Sequence, residues 1–296
     1  MGGLVACLVC PPQIAIKQVS IVFCKQETTF LTHTSQGLPA IEAMFNTAKA
    51  QNRAAFLPFF TIGYPSYDES INILVEMSKL GVDGFEIGIP FSDPLADGAV
   101  IQASSQVALD NGITPKHGLQ AVRDLRARGV YQPIMIFSYI NPLLAYGAEQ
   151  FVRDAKGAGA DGFIIPDLPP EEAYLFSECE KLGLALIFFI APTSNPERIS
   201  LVTKQSTGFL YVISVTGITG ARDSLPDDLQ AFIARVRSQT DKPLVLGFGI
   251  SKPEQARQLH GLVDGFIVAS ALIRAHQNGT TSDVLGLAGA LRGATP

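Results

Sequence analysis

The sequence predicts an α/β protein, a (β/α)8 TIM barrel in a single domain that follows an N-terminal extension. Three observations carry this reading. After residue 38, short apolar runs alternate with longer amphipathic ones, eight times over. No long linker or composition break interrupts the alternation, which favours a closed barrel over an open doubly wound sheet. The tripeptide Asp-Gly-Phe recurs at Asp83-Gly84-Phe85, Asp161-Gly162-Phe163 and Asp264-Gly265-Phe266.

In chain order, the expected strands are Phe56–Ile62, Gly84–Ile89, Pro133–Tyr139, Gly162–Pro166, Ala185–Ala191, Gly208–Ser214, Pro243–Ile250 and Gly265–Ala269. Each is short, rich in Ile, Val and Phe, and bounded by Gly or Pro, as strands buried on both faces of a parallel sheet should be. Helical patterns lie between them, among others at Asp68–Leu80, Ala99–Leu109, Glu149–Ala158, Pro170–Leu182 and Leu229–Gln239. The Asp-Gly turns open the second, fourth and eighth strands. That end of a barrel carries stability, so Asp83, Asp161 and Asp264 read as structural, and chemistry is expected at the opposite ends.

The chain has 296 residues, a net charge of −5 and a pI of about 5.4, with no Lys/Arg cluster. This excludes the electrostatic footprint of a nucleic-acid binder. No apolar run approaches the roughly 18 residues of a membrane span. In the first 37 residues, Leu4-Val5-Ala6-Cys7 imitates a lipoprotein cleavage site but lacks the basic and apolar segments that should precede it. Ala6 stands where myristoylation wants Ser or Thr. Cys7, Cys10, Cys24 and His33 could imitate a zinc set, but no compact zinc unit surrounds them. Residues 1–37 therefore read as a disordered extension or as translated sequence upstream of the true start, and 38–296 as the catalytic barrel. Cys179 falls in a helical pattern, and nothing demands disulfides, which fits a cytoplasmic protein.

Ionisable residues are scarce in the strands. None contains Lys, Arg or His, and only Glu86 lies within one, with Asp167 following the fourth. A Schiff-base lysine or a histidine-rich metal site in the barrel is thereby excluded. In Gly84-Phe85-Glu86-Ile87-Gly88-Ile89-Pro90, alternation sends Phe85, Ile87 and Ile89 toward the helices, and Glu86 into the lumen beside the space left by Gly88. Burial there should raise its pKa and suit it to acid/base work, the alternative being a buried glutamate without chemistry. Asp97 lies in the loop after the same strand. It serves either as a second carboxylate with a distinct role or as a cap for the helix Ala99–Leu109. Gly247-Phe248-Gly249, Val268-Ala269-Ser270-Ala271 and the loop Thr216–Arg222 place small residues at the last three strand ends, where barrels often bind phosphate. The loop is long enough to act as a lid.

The run from Glu86 through Phe91-Ser92-Asp93-Pro94-Leu95-Ala96-Asp97-Gly98 closely resembles the signature of the tryptophan synthase alpha subunit. Further matches run through Leu57-Pro58-Phe59, Tyr139-Ile140-Asn141-Pro142, Pro166-Asp167, Tyr211 to Gly220, and Gly247-Phe248-Gly249. The resemblance covers about 38–296. It implies retro-aldol cleavage of indole-3-glycerol phosphate, a small-molecule substrate, to indole and glyceraldehyde 3-phosphate in tryptophan biosynthesis. Glu86 resembles the general acid/base and Asp97 the carboxylate that binds the indole N–H. Phe59, Tyr139, Tyr211 and Phe248 resemble the pocket lining, Thr219 the lid threonine, and Gly220, Gly249 and Ser270 the phosphate cradle. Pro90, Asp93 and Asn141 resemble contacts to a beta subunit in an alpha2beta2 heterotetramer. The resemblance places no cofactor or metal in this chain, with pyridoxal phosphate in the beta partner. Ala269 departs from the family's usual Gly before the phosphate-binding Ser, and Ala99 from a frequent Pro. The alternatives are a free-standing lyase and a non-catalytic activator of the partner. Another phosphosugar barrel, such as an isomerase, would want acids where Phe60-Thr61 and Ala191-Pro192 stand.

Overall fold

The computed structural model describes residues 35–213, 228–247 and 249–294. Its strands are β1 (Ala55–Thr61), β2 (Phe85–Gly88), β3 (Ile134–Phe137), β4 (Gly162–Ile164), β5 (Ala185–Ile187), β6 (Phe189–Ile190), β7 (Leu210–Ile213), β8 (Leu244–Gly247) and β9 (Gly265–Val268). All pair in parallel, in the order β5-β4-β3-β2-β1-β9-β8-β7-β6. The two outer strands are consecutive pieces of one segment, so the sheet curls until the chain itself joins its edges. The expected (β/α)8 barrel is what forms.

One expected strand is corrected. Ala185–Ala191 is broken at Phe188, whose N–H donates to the Ser206 hydroxyl at 3.1 Å and so leaves the regular ladder. Across this seam, Leu186 O accepts from Thr207 N at 2.9 Å and Phe188 O accepts from Tyr211 N at 3.1 Å, which closes the barrel.

Around the strands lie α1 (Leu38–Ala50), α2 (Tyr67–Lys79), α3 (Ala99–Asp110), α4 (Pro115–Ala127), α5 (Ile140–Tyr146), α6 (Ala148–Ala158), a 3-10 helix (Pro170–Phe176), α7 (Glu178–Lys181), α8 (Pro196–Gln205), α9 (Leu229–Arg237), α10 (Pro253–Gln258), α11 (Ser270–Gln277) and α12 (Thr281–Gly293). The expected α-helix over Pro170–Leu182 is a 3-10 helix followed by the single turn of α7. The two buried residues of the 3-10 helix, Pro170 and Phe176, are six apart and so fall on one face at three residues per turn. The α1 helix lies across the N-terminal mouth of the barrel. Met44 approaches Gly84 and Phe45 approaches Gly265, so closely that an added Cβ would stand 2.8 Å from the Met44 sulfur and 3.3 Å from the Phe45 ring. This explains the glycine in two of the Asp-Gly-Phe repeats.

The aspartates of those repeats share one job. Asp83 accepts the N–H of Phe56 in β1 (2.8 Å), Asp161 that of Ile134 in β3 (2.8 Å), and Asp264 that of Leu244 in β8 (2.8 Å). Each also holds an arginine that precedes the strand being clamped. Arg53 grips Asp83 with two 2.6 Å bonds, Arg126 reaches Asp161 at 2.6 Å, and Arg237 reaches Asp264 at 2.5 Å. The fourth quarter uses hydroxyls instead, with Thr207 accepting the N–H of Leu186 at 2.8 Å. The backbone repeats in step, since Asp83, Asp161, Thr207 and Asp264 donate their own N–H groups to Phe56, Ile134, Leu186 and Leu244. The barrel is thus four two-strand units, each pinned at its N-terminal edge.

Removing one partner of a buried pair strands the other charge, at a cost of about 3–5 kcal/mol. The Asp161 side chain is 1% exposed and the Asp264 side chain 37%. Asp161→Ala is therefore expected to lower the unfolding free energy measured by urea titration by about 3–5 kcal/mol, and Asp264→Ala by clearly less. Equal losses in the two variants would contradict the burial argument.

Candidate active site

Glu86 is the second residue of β2 and is 2% exposed. It faces Phe59 of β1 and Met135 of β3 in register, while its neighbours Phe85 and Ile87 are fully buried. Its Oε2 is buried and has no hydrogen-bond partner among the described residues. Burial pushes its carboxyl well above the ordinary range, and the negative charge of Asp97 adds to the shift.

Asp97 is also buried, at 7% exposure. The capping alternative fails, because Gly98 occupies the cap of α3 and no side-chain cap bond forms. Burial raises the Asp97 pKa to about 7, against the opposing effect of the nearby Tyr139 hydroxyl. Two carboxyls thus share one buried site, and the charge of Asp97 adds to the burial that keeps the proton on Glu86.

Aromatic rings build the walls. Tyr139 is buried, its hydroxyl accepts the Ala96 N–H at 3.0 Å, and its ring meets Phe91 and Phe137 at 5.4 and 5.9 Å. Phe137 meets Phe59 edge-on at 5.7 Å. The space expected to stand open at Gly88 is filled by the Phe59 ring, whose Cζ would lie 2.5 Å from an added Cβ. On the other side, Tyr211 lies over Gly247, where an added Cβ would come within 2.1 Å of its ring, and it packs on Phe189 at 4.6 Å. Burial raises the Tyr211 pKa, and so do the charges of Glu86 and Asp97.

The structure therefore brings Glu86, Asp97, Phe59, Tyr139 and Tyr211 together. Gly249 has a left-handed φ of 86°, and Ser270 opens α11, whose first N–H groups precede any intrahelical bond. Thr219, Gly220 and Phe248 lie outside the described residues. Asp93 and Asn141 are exposed, whereas Pro90 is buried. Sequence reasoning missed Phe137, although its place opposite Gly88 in the β2–β3 register marks it as inward-facing. It also missed Leu95 and Leu144, exposed at 84% and 45% beside Asp93 and Asn141.

Residues 45–287 match the model of the family described as tryptophan synthase alpha chain. The chain belongs to that family. A tryptophan synthase alpha chain of Roseiflexus sp. (strain RS-1) is 48% identical over 234 residues, which are 79% of this chain and 90% of that protein. A tryptophan synthase of Saccharomyces cerevisiae is 44% identical over 77% of this chain, which accounts for 33% of its own length. Among solved structures, Mycobacterium tuberculosis tryptophan synthase superposes with a TM-score of 0.82 at 34% identity, covering 88% of this chain and 98% of that one. The tryptophan synthase subunit alpha of Legionella pneumophila str. Paris gives 0.78 at 32% identity, covering 86% and 97%.

In this alpha chain, the raised Asp97 pKa couples stability to pH. A carboxyl whose folded pKa lies above its unfolded value contributes stability that is complete below about pH 4. That contribution is lost as pH rises through about 7. Asp97→Asn removes this titration. The melting temperature of the variant relative to the parent is therefore expected to rise between pH 5 and pH 8. A difference that stays flat over that range would show that Asp97 is not held protonated by burial.

Proposed function

We propose that this chain catalyses the alpha reaction of tryptophan synthase, cleaving indole-3-glycerol phosphate to indole and glyceraldehyde 3-phosphate. The observation that carries this reading is the pair of buried carboxyls, Glu86 and Asp97, with raised pKa values in one aromatic-walled site. Glu86, protonated, gives its proton to the indole ring carbon that bears the glycerol chain. The ring becomes cationic, and Asp97 stabilises it by accepting the indole N–H. Glu86, now anionic, takes the proton of the adjacent side-chain hydroxyl. The carbon–carbon bond breaks, its electron pair returns to the ring, and an aldehyde forms on the departing fragment.

Phe59, Tyr139, Tyr211 and Phe248 would stack around the indole. The backbone N–H groups at Gly249 and Ser270, with Gly220, would hold the phosphate as helix N-termini and glycine turns do. Thr219 would close over the site. Ala269 keeps its N–H, and its methyl narrows the cradle. All of this chemistry uses side chains and backbone of this chain, and pyridoxal phosphate is assigned to the partner.

The family works with a beta subunit, and an alpha2beta2 assembly is proposed here. Asp93, Leu95, Asn141 and Leu144 are exposed on the loop and helix that carry Asp97 and Tyr139, which supports docking at that face. No described helix is long and apolar enough to cross a membrane, and a cytoplasmic location is proposed. The buried carboxyl pair disfavours a non-catalytic subunit.

Glu86→Gln should lower indole release by about 10²–10⁴-fold, the usual worth of general acid–base catalysis, with folding and ligand binding retained. Near-parental turnover would remove Glu86 from the mechanism. Indole release by the purified parent, with and without a beta subunit, tests the partnership. Strong acceleration supports it, and equal rates indicate a free-standing lyase.

A further inference from the structure

Asp167 follows β4 at the barrel's C-terminal end, and its side chain is exposed. Its Oδ1 accepts the N–H of Ile140 at 2.8 Å. Ile140 opens α5, and the opening N–H groups of a helix have no partner within it. The residue placed to cap them is Tyr139, yet it makes no side-chain cap bond. Its ring points the other way, with the hydroxyl accepting at 3.0 Å the N–H of Ala96, the residue directly before Asp97. A neighbouring loop thus satisfies the helix end so that Tyr139 can serve the site.

The geometry has a direct consequence. The amide of Ile140 belongs to the peptide plane that follows Tyr139. Fixing that N–H fixes the ψ of Tyr139, at 158°, and with it the direction in which the side chain leaves the backbone. We propose that Asp167 is a positioning residue for Asp97, acting through the Ile140 amide and the Tyr139 hydroxyl. The inference rests on the role given to Asp97 above. It also ties α5, which presents Asn141 at the surface, to the carboxylate inside.

The test compares Asp167→Ala, Asp167→Asn, Tyr139→Phe and the double variant Asp167→Ala/Tyr139→Phe in the full chain. Turnover of indole-3-glycerol phosphate and hydrogen exchange of the Ala96 amide are the readouts. Misplacing a reacting group by an ångström costs up to about 10²-fold in rate, and loosening it costs less. Asp167→Ala should therefore lower kcat about tenfold with KM within about twofold, and should speed exchange at Ala96. Asp167→Asn keeps an acceptor and should restore both. In the Tyr139→Phe background, Asp167→Ala should add little, because both act through one path. Parental kcat and exchange in Asp167→Ala would overturn the proposal, and so would an undiminished effect in the Tyr139→Phe background. Should Asp167→Ala fold poorly, Asp167→Ser, with its shorter reach, is read by the same two measures. If Asp97→Asn keeps parental turnover, the role of Asp97 is what fails. Exchange at Ala96 then decides the Asp167 link alone, unchanged exchange overturning it.

Discussion

The inward orientation of Glu86 depends on strand register, and register is pinned at the opposite end of the barrel. A slip of one residue between β1 and β2 would turn Glu86 toward the helices and bring Phe85 or Ile87 into the lumen. Asp83 prevents it. Three residues before Glu86, it holds the Phe56 N–H and both arms of Arg53, directly below the Phe59–Glu86 pair. The same device recurs at Asp161 and Asp264, with the Thr207 hydroxyl in its place in the remaining unit, so the clamps that close the N-terminal edge also set what faces the lumen above.

On that frame, the catalytic end departs from the rules that govern the rest of the core. Elsewhere the buried polar groups are mostly paired, whereas Glu86 keeps an unpartnered carboxyl oxygen in an apolar lumen. Such a group is costly to bury and persists where its surroundings leave it no alternative. The surroundings here are rigid aromatics, admitted by glycine at 88 and 247, where any side chain would displace Phe59 or Tyr211. The rings that wall the site also bury the two carboxyls, Glu86 at 2% and Asp97 at 7% exposure.

The alternation of Gly84 to Pro90 sufficed to place Glu86 inward, and the Asp-Gly-Phe repeats sufficed to mark the stability face. Both signals are local, lying within a few residues of one strand. What was illegible was non-local. The bond from Ala96 to the Tyr139 hydroxyl joins two loops beside Asp97, and sequence alone left Asp97 balanced between chemistry and capping. The break at Phe188 arises because a serine from the next unit takes its N–H, which no pattern within Ala185–Ala191 announces. The six-residue spacing of Pro170 and Phe176 was present in the sequence, but a mixed apolar segment of that length fits an α-helix nearly as well.

The two carboxyls also explain how one residue can act first as acid and then as base in the proposed reaction. Before the reaction, the charge of Asp97 helps burial to keep the proton on Glu86. Once the ring is protonated, its positive charge compensates Asp97. Glu86 is then an anion in a lumen that disfavours anions, which makes it a strong base toward the substrate hydroxyl beside it in the proposed reaction. The burial that loads the proton is therefore the same burial that drives its recovery. No second acid/base group is required, and among the described strands Glu86 is the one carboxyl.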